Sequence, residues 1–318
     1  MIERGEDMAG RKGKNRMIFA VFAALVVAFA VIVTYSTDSA FKVWKETFEF
    51  FGVSDSPKQS YDYAMSVHIL DVGKADAIYI HCEDKNILID AGDVEPTNMV
   101  TEYLKKHNVE KLDLVIVSHP DRDHIGGMPD VIKHFPINRF MMPEVPDEIL
   151  PTTKTYETML LRLKEKGMKI DKPVAGDLFM VGNMQFHIFA PGKQYKNMNN
   201  NSIVAKIQYG EDRFLFTGDA EKESEKDMIK SGYDLTADVL KVGHHGSATS
   251  TTQQFLDAVC PQIAVISVGQ DKNNLPKSST IDRLYENNIQ VYRTDTDGIV
   301  IFSTNGDGIT ALKEKEKE

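Results

Sequence analysis

Four of the nine histidines in this 318-residue chain fall into two tight pairs. His119 and His124 share the segment Ser118-His119-Pro120-Asp121-Arg122-Asp123-His124-Ile125-Gly126-Gly127, and His244 and His245 are adjacent in Leu240-Lys241-Val242-Gly243-His244-His245-Gly246-Ser247. Two imidazoles and two carboxylates crowded into one loop are costly to desolvate unless a cation neutralises them. Alternate residues of extended backbone share a side, so His119 and Asp121 can face one metal ion while Asp123 and His124, past the bend, face its neighbour. Gly126 and Gly127 then let the chain turn into a helix without a Cβ clash. Asp90 and Asp219 each close a hydrophobic run beside a glycine. Singly, each would read as a helix cap or turn residue. Beside the paired histidines they read as further strand ends converging on one cleft. His68, His81, His107, His134 and His187 are scattered and read as surface or core residues.

The elements that must position these groups are legible as short Val- and Ile-rich runs alternating with helical stretches. Val67–Val72, Ala77–Cys82 and Asn86–Ala91 read as strands joined by tight turns, Pro96–His107 as a helix, and Leu112–Ser118 as a buried strand ending on His119. Thr155–Lys166 reads as a helix, followed by strands at Met184–Ala190, Ser202–Tyr209 and Arg213–Thr217 and a charged helix from Glu221. Strand Val239–Val242, helix Thr251–Val259, strand Ala264–Val268, helix Ser279–Asn287 and strands near Gln290–Tyr292 and Ile299–Phe302 complete the body. The pattern alone defines an α/β or α+β domain with two sheets and helices outside. The Lys/Glu tail from Lys313 reads as a solvated end.

Composition narrows the function. Hydrophobic residues are 42% and charged residues 26%, as in a globular body. Lys and Arg number 37 against 47 Asp and Glu, a net charge of −10, which disfavours a protein that coats duplex DNA with a basic face. Two cysteines, Cys82 and Cys260, exclude a disulfide-dense scaffold and a four-cysteine zinc finger; they are expected as buried thiols, with a disulfide between them as the rival reading.

Met17 to Tyr35 is a run without charge, close to the roughly 20 residues a helix needs to cross a bilayer, and it has no polar stripe. Arg4, Arg11, Lys12, Lys14 and Arg16 precede it, and the flank after it carries more acids than bases. The charge bias places residues 1–16 in the cytoplasm and the chain after residue 35 outside. The run is expected as an uncleaved signal anchor, with a cleaved signal peptide as the rival reading. Residues 36–64 form a juxtamembrane segment and linker. Phe41, Trp44, Phe48 and Phe51 are spaced for one helical face, fit either to lie on the bilayer surface or to serve as a spacer.

Ile-Asp-Ala-Gly at Asp90, Ser-His-Pro-Asp-Arg-Asp-His-Ile-Gly-Gly, Thr-Gly-Asp at Asp219 and His-His-Gly-Ser follow one another in an order that resembles a metallo-β-lactamase-fold hydrolase. More narrowly, the chain is similar to the hydrolase domain of ComEC-type competence proteins and its stand-alone relatives. Leu70-Asp71-Val72-Gly73-Lys74-Ala75-Asp76-Ala77 is close to that group's LDVGQGDA, and Asn200-Asn201-Ser202, Ile266-Ser267-Val268-Gly269 and Tyr292-Arg293-Thr294-Asp295 match as well. The resemblance covers roughly Met65 to Leu312 and implies a four-layer αββα sandwich over residues 65–313, with 314–318 as a charged tail.

The resemblance also implies a metal centre of two divalent ions, Zn²⁺ or Mn²⁺, held by His119, Asp121, Asp123, His124, Asp219 and one or both of His244 and His245. Asp219 matches a carboxylate that bridges the two ions, and Asp90 one that orients a ligand histidine. Asp123, His244 and Asp90 are the expected catalytic residues; Asn200, Asn201, Ser247 and Lys277 are the candidates for substrate contact. Ligation rich in aspartate shifts preference from zinc towards manganese. Water bridging such ions supplies hydroxide near neutral pH. Two departures stand out: Asp121 replaces the second histidine of the wider superfamily's His-x-His-x-Asp-His, and Leu275 occupies a histidine position of the ComEC-type branch. The implied function is a membrane-anchored extracellular phosphodiesterase, foremost a nuclease acting on DNA. A hydrolase of cell-envelope phosphodiesters and a metal-bound but catalytically weak binding module are the alternatives.

Overall fold

The computed structural model describes residues 63–94, 98–269 and 274–314, all within Asp62–Glu318, the second of the two units into which the chain divides. The anchor, juxtamembrane and linker readings lie outside the described residues. Among the described residues no helix is long and apolar enough to cross a membrane.

Each half of this unit begins as an antiparallel meander and continues as a parallel run. In the first half, β1 (Met65–Ile69), β2 (Ile78–Cys82) and β3 (Lys85–Ile89) are antiparallel neighbours; β4 (Leu114–Ile116), β5 (Phe140–Met141) and β6 (Ile170–Asp171) then add in parallel. Parallel pairing demands crossovers. These are α1 (Met99–Lys106), then α2 (Arg122–Ile125) with α3 (Met128–His134), then α4 (Lys154–Glu165). In the second half β7 (Leu178–Val181), β8 (Met184–Ala190), β9 (Val204–Tyr209) and β10 (Asp212–Phe216) form the meander. β11 (Val239–Lys241), β12 (Ile263–Ile266) and β13 (Gln290–Arg293) follow in parallel, connected by α5 (Lys222–Ser231), α6 (Gln253–Val259) and α7 (Ser278–Glu286). After the short α8 (Thr294–Asp297), β14 (Ile299–Thr304) and β15 (Ile309–Glu314) return to the first sheet beside β1. The strand orders are β15-β14-β1-β2-β3-β4-β5-β6 and β13-β12-β11-β10-β9-β8-β7.

Period-two alternation explains why the sheets stack with helices outside. Ile87, Ile89, Leu114 and Ile116 join Phe214, Phe216, Val239 and Val265 in one buried cluster between the sheets. Their strand neighbours Leu88, Val115 and Val117 face the other way, packing with Leu104, Val131 and Leu163 of α1, α3 and α4. Leu215, Leu240 and Ile266 likewise pack with Met228, Phe255 and Leu284 of α5, α6 and α7. The layers are therefore helix, sheet, sheet, helix.

Several boundaries differ from the sequence reading. β5 and β6 are too short to show a period, and β15 incorporates Lys313 and Glu314, which read as a solvated tail. Both cysteines are free: Cys82 is buried, its thiol pushed up to about 12 by burial, but Cys260 is exposed at the left-handed C-cap of α6 rather than buried.

His68 lies in β1 between two inward residues and so faces α1. Its Nδ1 is 2.7 Å from the Tyr103 hydroxyl and its Nε2 2.8 Å from Ser66 Oγ. Burial, then the neighbouring His107 and His81, lowers its pKa from 6.5 to about 3. The unfolded chain therefore binds a proton in this window that the fold refuses. Stability should be intact above about pH 6.5 and fall as pH drops towards 3, by at most about 1.4 kcal/mol per pH unit from this group. Urea titrations of wild type and His68→Gln across pH 4–7 test this; the variant should have the shallower slope.

Candidate metal centre

Parallel strands deliver their carboxyl ends to one side of a sheet, which is where open α/β sheets place ligands. Asp90 follows β3, Ser118 and His119 follow β4, Asp219 follows β10, His244 and His245 follow β11, and Ser267 follows β12. β2 starts where β3 ends, Ile78 pairing with Ile89, so Asp76 just before β2 reaches the same rim. Ser202, just before β9, does so for the second sheet through the Phe216–Ala205 pair. Close approach of the two rims requires glycine at 218: at φ 51° a Cβ there would lie 2.8 Å from Cβ of Ser118 and 3.1 Å from that of Ser202. Gly126 and Gly127 serve a similar purpose rather than a sharp turn. Both sit in ordinary helical backbone, and a Cβ would strike the Asp93 backbone at 2.0 Å or the Ala91 carbonyl oxygen at 2.4 Å.

The three buried histidines of this pocket, His119, His124 and His245, are all held by Nδ1. His124 Nδ1 is 2.8 Å from Asp90 Oδ2, and Asp90 also accepts from the Ser118 amide and hydroxyl. His245 Nδ1 donates to the Ser267 carbonyl at 2.9 Å, and His119 Nδ1 lies 3.2 and 3.3 Å from the hydroxyls of Ser118 and Ser202. A proton kept on Nδ1 leaves Nε2 with its lone pair free for a metal. His119 Nε2, His124 Nε2, His245 Nε2 and Asp219 Oδ1 are all buried without a hydrogen-bond partner. They converge: Asp219 Oδ1 is 3.4 Å from His124 Nε2 and 3.7 Å from His245 Nε2, and His245 Nε2 is 3.5 Å from Asp123 Oδ2. Donors about 2.1 Å from a tetrahedral ion lie about 3.4 Å from one another. The spacing and the mixed nitrogen and oxygen donor set therefore fit a borderline divalent cation.

Electrostatics point the same way. Burial would raise the pKa of Asp219, but His245 and His124 hold it well below the carboxylate range. Burial would also raise Asp123, yet the nearby His245 and His124 and the Lys74 ammonium hold it low. His124 is raised against its own burial by Asp219 and Asp90. The field that would keep a proton on His124 is the field a metal ion would exploit.

The remaining expected residues are distributed as follows. Asp121 stands at the rim, its side chain 43% exposed, with Oδ2 3.5 Å from His119 Nε2 and outside the buried groups that could hold an ion. His244 is a quarter exposed, its Nδ1 3.2 Å from Glu221 Oε1 and its Nε2 3.7 Å from Asp219 Oδ2. Both His244 and His245 have left-handed backbone, φ 49° and 51°, a costly conformation for residues with a Cβ and one concentrated at functional sites.

Asn200 and Asn201, expected at the substrate, are committed to the scaffold. Asn200 Oδ1 accepts from the amides of Glu221 and Ser224 at the start of α5, and the Asn201 amide clamps Tyr195 and Asn197 backbone. Asn199 is the residue of that run that reaches His244, its Nδ2 3.3 Å from Nδ1. Ser247 is a turn residue bonded to Thr249, and Lys277 donates its backbone amide to Gly246. Leu275 packs into the apolar cluster under α6 and α7.

Sequence reasoning missed Asp76 and Lys241. Lys241 Nζ is 2.8 Å from Asp76 Oδ2, both side chains being buried beneath the histidines. Lys241 pulls the Asp76 pKa down despite the burial that opposes it. A lysine inside the apolar strand Val-Leu-Lys-Val was the available signal.

A fold of two stacked sheets with a histidine–aspartate pocket at the strand ends defines a metal-dependent hydrolase class. The metallo-beta-lactamase superfamily model matches residues 70–270, and the chain belongs to that superfamily. It is similar to ComE operon protein 3 of Bacillus subtilis (strain 168), 30% identical over 258 residues that cover 74% of this chain and 32% of that protein. Competence protein ComA of Neisseria gonorrhoeae is 26% identical over 306 residues, 93% of this chain and 41% of that protein. The chain thus spans well under half the length of these curated relatives, and the likeness to ComEC-type proteins read from the motifs is borne out. Among solved structures CmlA, a diiron beta-hydroxylase from Streptomyces venezuelae, shares the fold with TM-score 0.50 at 11% identity, over 79% of this chain and 54% of that one.

Proposed function

We propose that this chain is a metal-dependent phosphodiesterase whose substrate is DNA, held at the outer face of a membrane by Met17–Tyr35. The observation that carries the hydrolase reading is the convergence of four unpartnered buried atoms, on His119, His124, His245 and Asp219. The likeness to proteins named for competence favours DNA over other phosphodiesters. The uncharged run and the basic flank before it favour the anchor and the outward orientation.

A divalent ion bound at these residues would polarise the phosphoryl oxygen and lower the pKa of attacking water. The chain's own residues prepare that chemistry. Asp90, Ser267, Ser118 and Ser202 fix the imidazoles so that each presents Nε2. Ser202 Oγ also accepts from the Asp219 amide at 3.2 Å, which fixes the start of that loop. His244, at the solvent edge and oriented by Glu221, is the group able to pass a proton from Nε2 to the departing oxygen. Leu275 is apolar and provides no such group.

The test is incubation of the purified full chain with labelled single-stranded and duplex DNA and Mn²⁺. Cleavage is expected, reduced at least about a hundredfold in Asp123→Ala and in His124→Ala. DNA binding without cleavage would instead support a binding module. Neither binding nor cleavage would direct attention to envelope phosphodiesters.

A further inference from the structure

Four groups of three side chains around the pocket have donor atoms close enough to share an ion: His119–His124–Asp219, Asp123–His124–His245, Asp76–Asp219–His245 and Asp76–Asp90–His124. They are not equivalent. Lys74 Nζ lies 2.6 Å from Asp123 Oδ2, the oxygen that faces His245 Nε2. Lys241 Nζ lies 2.8 Å from Asp76 Oδ2. Three of the four groups therefore have a lysine ammonium on one member, and among the described residues His119–His124–Asp219 is the group with none. Lys74 also stands where the ComEC-type motif LDVGQGDA has an uncharged glutamine.

Charge counting leads to the same asymmetry. The four groups contain four carboxylates, Asp76, Asp90, Asp123 and Asp219, and contact two lysines, Lys74 and Lys241. The shortfall is two positive charges, which one divalent ion supplies. A second ion at Asp123 and His245 would share its carboxylate with an ammonium, and two cations at that separation in a half-buried site repel appreciably.

We propose that Lys74 is a built-in cation that weakens the Asp123–His245 half of the centre, so that the chain holds one divalent ion tightly on His119, His124 and Asp219 and a second only loosely. This rests on the metal-dependent reading above and deepens it. Lys74 is a quarter exposed at the rim, so it can keep its place beside Asp123 without the folding cost of a fully buried charge.

Calorimetric titration of the metal-stripped full chain with Mn²⁺ and with Zn²⁺ decides the matter, alongside metal analysis after dialysis. Wild type should show one tight equivalent and one weaker. Lys74→Gln should tighten the second by about tenfold or more and retain two ions through dialysis, while Lys74→Arg behaves as wild type. His119→Ala should remove the tight equivalent. Two equally tight equivalents in wild type, or a Lys74→Gln titration superimposable on it, would overturn the proposal while leaving the metal centre intact. No uptake by any of these proteins would instead remove the metal-dependent reading itself, and this proposal with it.

Discussion

Asp219→Asn is expected to reduce hydrolysis on the order of a thousandfold while leaving the fold intact. The carboxylate is buried within reach of three imidazoles: Oδ1 is 3.4 Å from His124 Nε2 and 3.7 Å from His245 Nε2, and Oδ2 is 3.7 Å from His244 Nε2. An amide of the same shape removes the negative charge that a cation needs, and it sets a weaker neutral group among these imidazoles. It also removes repulsion from Asp76 and Asp123, which both feel the Asp219 charge. The attraction of His245 and His124 for Asp219 outweighs that repulsion, so the metal-free variant should fold but melt somewhat lower than wild type. The diagnostic is linkage: wild type should gain thermal stability on adding Mn²⁺ or Zn²⁺, and Asp219→Asn should lose that gain. A variant that keeps both its activity and its metal-dependent melting shift would show that Asp219 is a structural carboxylate.

Lys241→Met is expected to cost about 3–5 kcal/mol of folding stability. The ammonium is wholly buried, bonded to Asp76 Oδ2 at 2.8 Å and to the Val242 carbonyl at 3.0 Å. Methionine fills the volume but leaves Asp76 as a buried charge without its partner. Lys241→Met/Asp76→Asn should recover a good part of the loss, because the expensive element is the unpaired charge rather than the missing bond. The sign with pH follows from Asp76, whose folded pKa is lowered. Its contribution is present above the ordinary carboxylate range and is lost as pH falls through that lowered value. Denaturant titrations at neutral and acidic pH should show the gap between wild type and the double variant narrowing in acid. A single variant as stable as wild type would mean that water reaches and solvates Asp76.

What could be read from the residues and what could not divides along physical lines. His119, His124 and His245 are visible because paired histidines at the ends of apolar strands have few bland explanations, and Asp90 and Asp219 become visible only beside them. The helix–sheet–sheet–helix layering is visible because Ile87, Leu88 and Ile89, or Phe214, Leu215 and Phe216, are apolar on both faces of a strand. Asp76 was hidden because an aspartate before a strand is ordinary turn chemistry, and only the register of β2 against β3 carries it to the rim. Lys74 and Glu221 were hidden because surface-type residues gain meaning from neighbours dozens of positions away. Asn200 and Asn201 were misplaced by analogy: three successive asparagines differ only in which way a short helical turn points them, and Asn199 is the one turned to His244.

The pocket at the strand ends is most directly tested by anomalous diffraction from crystals grown with Mn²⁺, with data collected on both sides of the manganese absorption edge. An anomalous peak is expected within coordination distance of His119 Nε2, His124 Nε2 and the Asp219 carboxylate. Anomalous density confined to surface carboxylates, with the three imidazoles bonded to ordered water alone, would contradict it.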